Sequence, residues 1–220
     1  MLRYFFEKSG EDRRPLFAGL AVASSGSAWA HFQRYPVIFM TFKDVNPRSW
    51  EDCLAGMADV VAEAYGQHRY LLTERDLHAE EAQLFLALLE RRATRSELVI
   101  ALKLLSRLLA RHHREKAVIL IDEYDTPVHA GYTNKYDDVV AFFRDFLSGG
   151  LKDNEHLFKG VLTGILRIAK ESLFSGLNNV SVYSILRPEL ATAFGFTEPE
   201  VHSRATASKV GSFRSLGSSR

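Results

Sequence analysis

The stretch Ala117-Val-Ile-Leu-Ile-Asp-Glu-Tyr-Asp125 decides the fold of this chain. Its apolar residues form an uninterrupted run, which is typical of a strand buried on both faces of a parallel sheet. Two adjacent carboxylates, Asp122 and Glu123, follow the run directly. We therefore expect them at the carboxyl end of the strand, where open α/β sheets bind their ligands.

This acidic pair has a clear use in an enzyme that handles phosphate. Asp122 would hold the water shell of a magnesium ion, and Glu123 would orient or deprotonate the attacking water. The alternative is a buried strand that simply ends in a charged turn, since acidic residues often follow strands.

The composition is that of a globular protein large enough for one substantial α/β domain. Of 220 residues, 46% are hydrophobic and 25% are charged, and the net charge is +1. This small charge favours neither nucleic acid nor a membrane surface. The single cysteine, Cys53, excludes an internal disulfide and fits a reducing compartment. No apolar run approaches the roughly 20 residues of a membrane span, and we expect a cytoplasmic protein. A nucleotide is a possible ligand, and the protein partner is unknown.

Strand and helix patterns alternate along the chain. The strands are predicted at Tyr35–Phe42, Ala117–Ile121, Leu157–Gly164 and Val180–Tyr183, and the helices at residues 1–8, 47–69, 76–92, 94–114, 135–151 and from 197 onward. This alternation predicts a parallel sheet with crossover helices. Gly149-Gly150 is interpreted as a helix interruption, and His112-His113 as solvated residues at a helix end.

Three blocks of sequence resemble the predicted AAA-ATPase-like family of bacteria and some anaerobic eukaryotes. They are Tyr35-Pro-Val-Ile-Phe-Met-Thr-Phe-Lys-Asp-Val45, Val118-Ile-Leu-Ile-Asp-Glu-Tyr-Asp-Thr-Pro127 and Leu162-Thr-Gly-Ile-Leu-Arg-Ile-Ala-Lys-Glu-Ser-Leu-Phe-Ser-Gly-Leu-Asn-Asn179. The resemblance extends over residues 1–201, which we interpret as one AAA-ATPase-like domain. Residues 202–220 are rich in serine and basic residues with little apolar surface, so we expect a disordered tail.

The resemblance implies roles for four residues, with Mg and ATP as cofactors. Asp122 and Glu123 would be the Walker B pair, in which Asp122 serves the metal and Glu123 is the catalytic carboxylate. Thr163 would be a polar sensor of the γ-phosphate at the end of the next strand, or only a β-branched residue that suits a strand. Arg167 would stabilise charge on the transferred phosphoryl group, or is only an arginine at a surface or helix start.

The chain departs from the family pattern at both ends. No Gly-x-x-x-x-Gly-Lys-Ser/Thr phosphate loop occurs in the 220 residues. We therefore expect a fragment: an incomplete P-loop NTPase-type sheet with flanking helices and one central strand missing between Leu157–Gly164 and Val180–Tyr183. We likewise expect this chain to lack the restriction-nuclease-like domain that follows in family members. Weak or no ATP hydrolysis by this chain alone is the expected consequence.

Three functional hypotheses follow from the sequence. The first is an AAA-ATPase-like nucleotide-binding domain that is impaired in hydrolysis. The second is a non-enzymatic interaction module that uses the remaining sheet to pair with another chain. The third is a metal-dependent hydrolase that uses Asp122, Glu123 and Asp125 without a phosphate loop.

Overall fold

A three-stranded parallel sheet organises the chain in the computed structural model, which describes residues 1–130, 136–165, 177, 180–184, 198 and 201–202. The strands are β1 (Val37–Thr41), β2 (Ala117–Asp122) and β3 (Leu157–Leu162), with β2 in the centre. The helices are α1 (Leu2–Phe6), α2 (Gly26–Trp29), α3 (Trp50–Gln67), α4 (Ala79–Leu89), α5 (Arg95–His113), α6 (Thr126–Ala130) and α7 (Tyr136–Leu151). Short 3₁₀ turns occupy Arg14–Phe17, Ala21–Ser24 and Arg69–Thr73. The predicted α/β class with a parallel sheet and flanking helices is confirmed.

The main core lies between one face of the sheet and the long helices. Side chains alternate along each strand, so Ile38 and Met40 of β1 and Ile119 and Ile121 of β2 point into this core. The helices α3, α4, α5 and α7 supply its other side. Placing the crossover helices on one face gives both β–α–β connections the same hand, as parallel neighbours require.

The opposite face of the sheet carries a much smaller apolar cluster. Its buried members are Tyr35, Val37, Val118 and Leu120, with Phe6, Phe39 and Val161 packed against them and only partly buried. The guanidinium of Arg3 lies over the ring of Phe39, 5.6 Å from its centroid. Among the described residues, this face therefore has a thin cover that the amino-terminal segment supplies.

One detail of the helix prediction is corrected by the structure. Gly149 and Gly150 do not interrupt a helix, because α7 continues through both to Leu151. They lie where α7 crosses α5: a Cβ on Gly149 would meet the carbonyl oxygen of Val99 at 2.4 Å. The glycines thus permit a close helix crossing.

The fourth predicted strand is also wrong. The chain divides into two compact units, Met1–Asn179 and Val180–Arg220, and residues 180–184 of the second unit have neither helix nor strand structure. A lone apolar stretch needs a neighbouring strand to satisfy its backbone groups. In the second unit, residues 198, 201 and 202 are helical, in the range of the last predicted helix.

Candidate functional site

Asp122 lies at the carboxyl end of the central strand, between the ends of its two neighbours. The register pairs Thr41 of β1 with Asp122, and pairs Ile121 with Leu162 of β3. Thr163, the next residue, donates its hydroxyl hydrogen to Asp122 Oδ1 over 2.5 Å. The prediction from sequence placed Asp122 and Thr163 at one edge of the sheet, and the structure brings their side chains into contact.

Backbone hydrogen bonds continue the sheet to this polar edge. The amide of Thr163 donates to the carbonyl of Ile121 over 2.9 Å, and the amide of Phe42 donates to the carbonyl of Asp122 over 3.0 Å. Asp122 is therefore held by strands on both sides, which limits the motion of its carboxylate.

Glu123 adopts a left-handed backbone conformation with a φ of 51°. This conformation costs a non-glycine residue roughly 1–2 kcal/mol, and it turns the chain sharply out of β2 toward α6. The Thr126 hydroxyl donates to Glu123 Oε2 over 3.3 Å, and the Thr126 amide donates to the Glu123 carbonyl over 3.2 Å. The strained turn thus directs the Glu123 carboxylate toward the first residue of α6 and away from the sheet core.

Asp125 has a position that sequence reasoning missed. Its side chain is only 3% exposed, and Oδ2 accepts a hydrogen bond from the Ile165 amide over 3.0 Å. The sequence suggested a third carboxylate of a metal-dependent hydrolase, or only the turn before Pro127, for this residue. The spacing of Asp125 from Asp122 carries no signal for a contact with a loop about forty residues further along.

Thr41 is a second residue that only the register identifies. It shares the cross-strand row of Asp122, and its hydroxyl accepts a hydrogen bond from the amide of Lys43 over 3.4 Å. In sequence Thr41 is one β-branched residue among several in a strand. The polar edge of the sheet therefore includes a carboxylate with a threonine of β1 on one side and the threonine that follows β3 on the other.

The three acidic residues of the hydrolase hypothesis do not gather into one metal site. Asp122 contacts Thr163, Glu123 contacts Thr126, and Asp125 contacts the amide of Ile165. Within the described ranges, no group of three or more His, Cys, Asp or Glu side chains could hold a metal ion. This arrangement argues against a direct three-carboxylate centre.

Arg167 lies outside the described residues, so its role stays a prediction. In the part of the chain that the structure describes, no helix has the length and apolar character needed to cross a membrane.

Comparisons with known proteins cover most of the chain. The model of a family described as Predicted AAA-ATPase matches residues 1–174, a range that includes Asp122, Glu123, Thr163 and Arg167. A protein of Azotobacter chroococcum mcd 1, named "Uncharacterized protein in vnfD 5'region", is 28% identical over 191 residues. That similarity covers 85% of this chain and 32% of the relative, so the chain spans about a third of the relative's length. No solved structure matches the chain significantly.

Proposed function

Because the chain belongs to the predicted AAA-ATPase family, we propose that it carries the acidic half of an ATP-binding site. Asp122 and Glu123 act as its Walker B pair. One observation carries the proposal: the Thr163 hydroxyl is hydrogen-bonded to Asp122 at the carboxyl edge of adjacent parallel strands. That edge is where open α/β sheets bind nucleotides.

The donor chemistry of this edge fits a magnesium ion held through its water shell. Mg²⁺ prefers oxygen ligands and keeps several of its waters, and it typically takes one or two carboxylates together with substrate phosphates. Asp122 supplies such a carboxylate, and Thr41 and Thr163 are on the strands beside it. When bound, the ion would neutralise charge on the phosphate oxygens.

The remaining residues of the edge have separate tasks in this proposal. Glu123 orients the attacking water in this proposal, because it follows Asp122 directly and its carboxylate is held by Thr126. Thr163 senses the γ-phosphate through a hydroxyl that is already ordered by Asp122. Arg167 follows four residues later in sequence, and we assign to it the stabilisation of phosphoryl charge.

The phosphate side of the site is what limits activity. No Gly-x-x-x-x-Gly-Lys-Ser/Thr segment occurs in the 220 residues, so the chain has no such loop to cradle a triphosphate with backbone N–H groups and a lysine. Carboxylates repel a triphosphate unless such groups offset them. We therefore propose that this chain alone binds Mg–ATP weakly and hydrolyses it slowly or not at all.

Isothermal titration with ATP, in magnesium and in EDTA, tests this assignment. We expect binding near the millimolar range, equivalent to about 4 kcal/mol, and stronger in magnesium by about tenfold, or about 1.4 kcal/mol. Asp122→Asn should abolish the magnesium dependence. Asp153→Asn is the matched control, since Asp153 is exposed and its φ of 48° suits asparagine. Titration without saturable heat at millimolar ATP, or a magnesium effect that survives Asp122→Asn, would contradict the proposal.

The interaction-module alternative has one observation in its favour. Among the described residues β3 pairs only with β2, and Phe158, Lys159 and Gly160 in its middle are exposed. An open strand edge can add a strand from another chain. A stable complex that Phe158→Glu releases would favour this function if Leu16→Glu, at an exposed apolar residue outside the sheet, leaves it intact.

A further inference from the structure

The loops that follow β2 and β3 are joined by a buried carboxylate. Asp125, in the loop after β2, accepts the amide hydrogen of Ile165, in the loop after β3, over 3.0 Å. The Ile165 side chain is 91% exposed. Burial of its side chain therefore does not hold this residue in place, whereas the hydrogen bond to Asp125 ties its backbone amide to the loop after β2. Hydrogen bonds to an ionised acceptor are roughly twice as strong as neutral ones.

Gly164 allows the carboxylate to approach this closely. A Cβ at position 164 would lie 2.4 Å from Asp125 Oδ1 and 2.8 Å from Cε1 of Tyr124. Real Cβ atoms do not make such contacts, so any side chain would displace Asp125 or Tyr124. Both residues are nearly buried, at 3% and 9% exposure, and have little room to move. The need for glycine here is steric.

Thr163 lies directly before this contact, and both its backbone amide and its carbonyl are hydrogen-bonded. Its amide donates to Ile121, and its carbonyl accepts from the amide of Tyr124 over 3.1 Å. Its hydroxyl donates to Asp122. The direction of that hydroxyl depends on the backbone of Thr163, which the contact between Asp125 and Ile165 holds from the carboxyl side.

We propose that Asp125 is a positioning residue that clamps the Gly164–Ile165 peptide and so holds Thr163 against Asp122. The proposal rests on the proposed function for its consequence in ATP binding, but the clamp itself is independent of it. Asp125 touches neither nucleotide nor metal in this arrangement. It acts through Thr163.

Amide hydrogen exchange resolved by NMR tests the clamp directly in the full chain. Asp125→Ala should raise the exchange rate of the Ile165 amide by about tenfold or more, without a matching rise at Ile119 in the middle of β2. It should also move the Ile165 amide resonance upfield, because the bond to the carboxylate is lost. Asp125→Asn keeps an acceptor oxygen and should restore much of the protection, which a general loss of packing would not allow.

A second pair of variants distinguishes loss of the clamp from misfolding. Gly164→Ala keeps the Asp125 side chain but fills the space that its carboxylate occupies. This variant should therefore raise the exchange rate of the Ile165 amide, as Asp125→Ala does. Gly10→Ala is the matched control, because a Cβ there meets nothing within 4 Å. Unchanged Ile165 exchange in both Asp125→Ala and Gly164→Ala, or an equal rise throughout the sheet, would overturn the clamp.

Titration with Mg–ATP separates the clamp from the proposed function. If the wild-type chain binds Mg–ATP, Asp125→Ala should weaken binding by about tenfold, and Asp125→Asn by less. Equal affinities would overturn the claim that the clamp serves the site. If the wild-type chain does not bind Mg–ATP, the proposed function fails, and the exchange rates at Ile165 still decide whether the clamp exists.

Discussion

Acid should weaken this fold through a buried histidine that the structure places at the end of α3. His68 is 8% exposed, with Nε2 3.2 Å from the carbonyl oxygen of Val37 and Nδ1 3.3 Å from the Tyr70 hydroxyl. A carbonyl only accepts, so Nε2 must carry the proton and Nδ1 must accept from Tyr70. The Tyr70 oxygen then accepts from Nε2 of His113 over 2.8 Å. When His68 is neutral, both of its ring nitrogens are satisfied in this hydrogen-bonded chain, and burial opposes its charged form.

His113 itself corrects a prediction from the sequence. The pair His112-His113 was interpreted as solvated at a helix end, which is right for His112 but wrong for the partly buried His113. Burial, with His112 and Lys8 nearby, lowers the pKa of His113 to about 4. The packing of the turn that contains Tyr70 against α5 causes this burial, and the local sequence does not reveal it.

The size of the acid effect follows from the pKa of His68. Burial lowers this pKa from about 6.5 to about 4, against smaller opposing effects of Val37 and Glu7. As pH falls, His68 therefore binds a proton near pH 6.5 in the unfolded chain but only near pH 4 in the folded chain. The stabilisation is complete above pH 6.5 and is lost as pH falls toward 4, at about 1.4 kcal/mol per pH unit. His68 alone accounts for about 3 kcal/mol over that window, and the half-exposed His113 adds a smaller amount.

Urea unfolding followed by circular dichroism at pH 7.0, 6.0, 5.0 and 4.5 measures this loss. His68→Gln keeps an N–H donor for Val37 but cannot ionise. The free energy of unfolding of the variant should therefore fall less steeply with pH, and its slope should be smaller than that of the wild type by about 1 kcal/mol per pH unit. His156→Gln is the control, at a histidine outside this hydrogen-bonded chain, and should keep the wild-type dependence. If His68→Gln and the wild-type chain lose stability in parallel between pH 6.5 and 4.5, the assignment of the effect to His68 is wrong.

Three further variants test the fold by equilibrium unfolding. Gly149→Ala should destabilise the chain by about 1–2 kcal/mol, because overpacking against the carbonyl of Val99 exceeds the gain in helix propensity; Gly66→Ala, with only an ordinary contact, should be neutral or stabilising, and equal effects would refute the close crossing. Glu123→Gly should stabilise the chain by about 1 kcal/mol by relieving its left-handed backbone, while impairing any hydrolysis; a loss of stability would show that the turn is not strained. Thr94→Ala should lower the free energy of unfolding by about 1 kcal/mol by removing the capping box of α5; an unchanged midpoint in urea would contradict this.

Much of the fold was predictable because local patterns decide it. The apolar run of residues 117–121 predicted a buried strand, and a helix was predicted at residues 94–114; the structure has both, as β2 and α5, and a capping box at Thr94 begins the helix. The prediction for Val180–Tyr183 was wrong because a short apolar stretch becomes a strand only beside a partner with free backbone groups. Whether such a partner exists is a property of the whole sheet.

The candidate site divides in the same way between local pattern and tertiary structure. The sequence by itself determined that Asp122 and Glu123 would follow a buried strand, since side-chain periodicity and the end of an apolar run are local properties. Only the tertiary structure decided that Thr41 and Thr163 would lie beside Asp122, and that Asp125 would hold Ile165. These contacts depend on strand register and on the path of two loops about forty residues apart, and such distances are set by packing of the whole core, which no neighbouring residues encode.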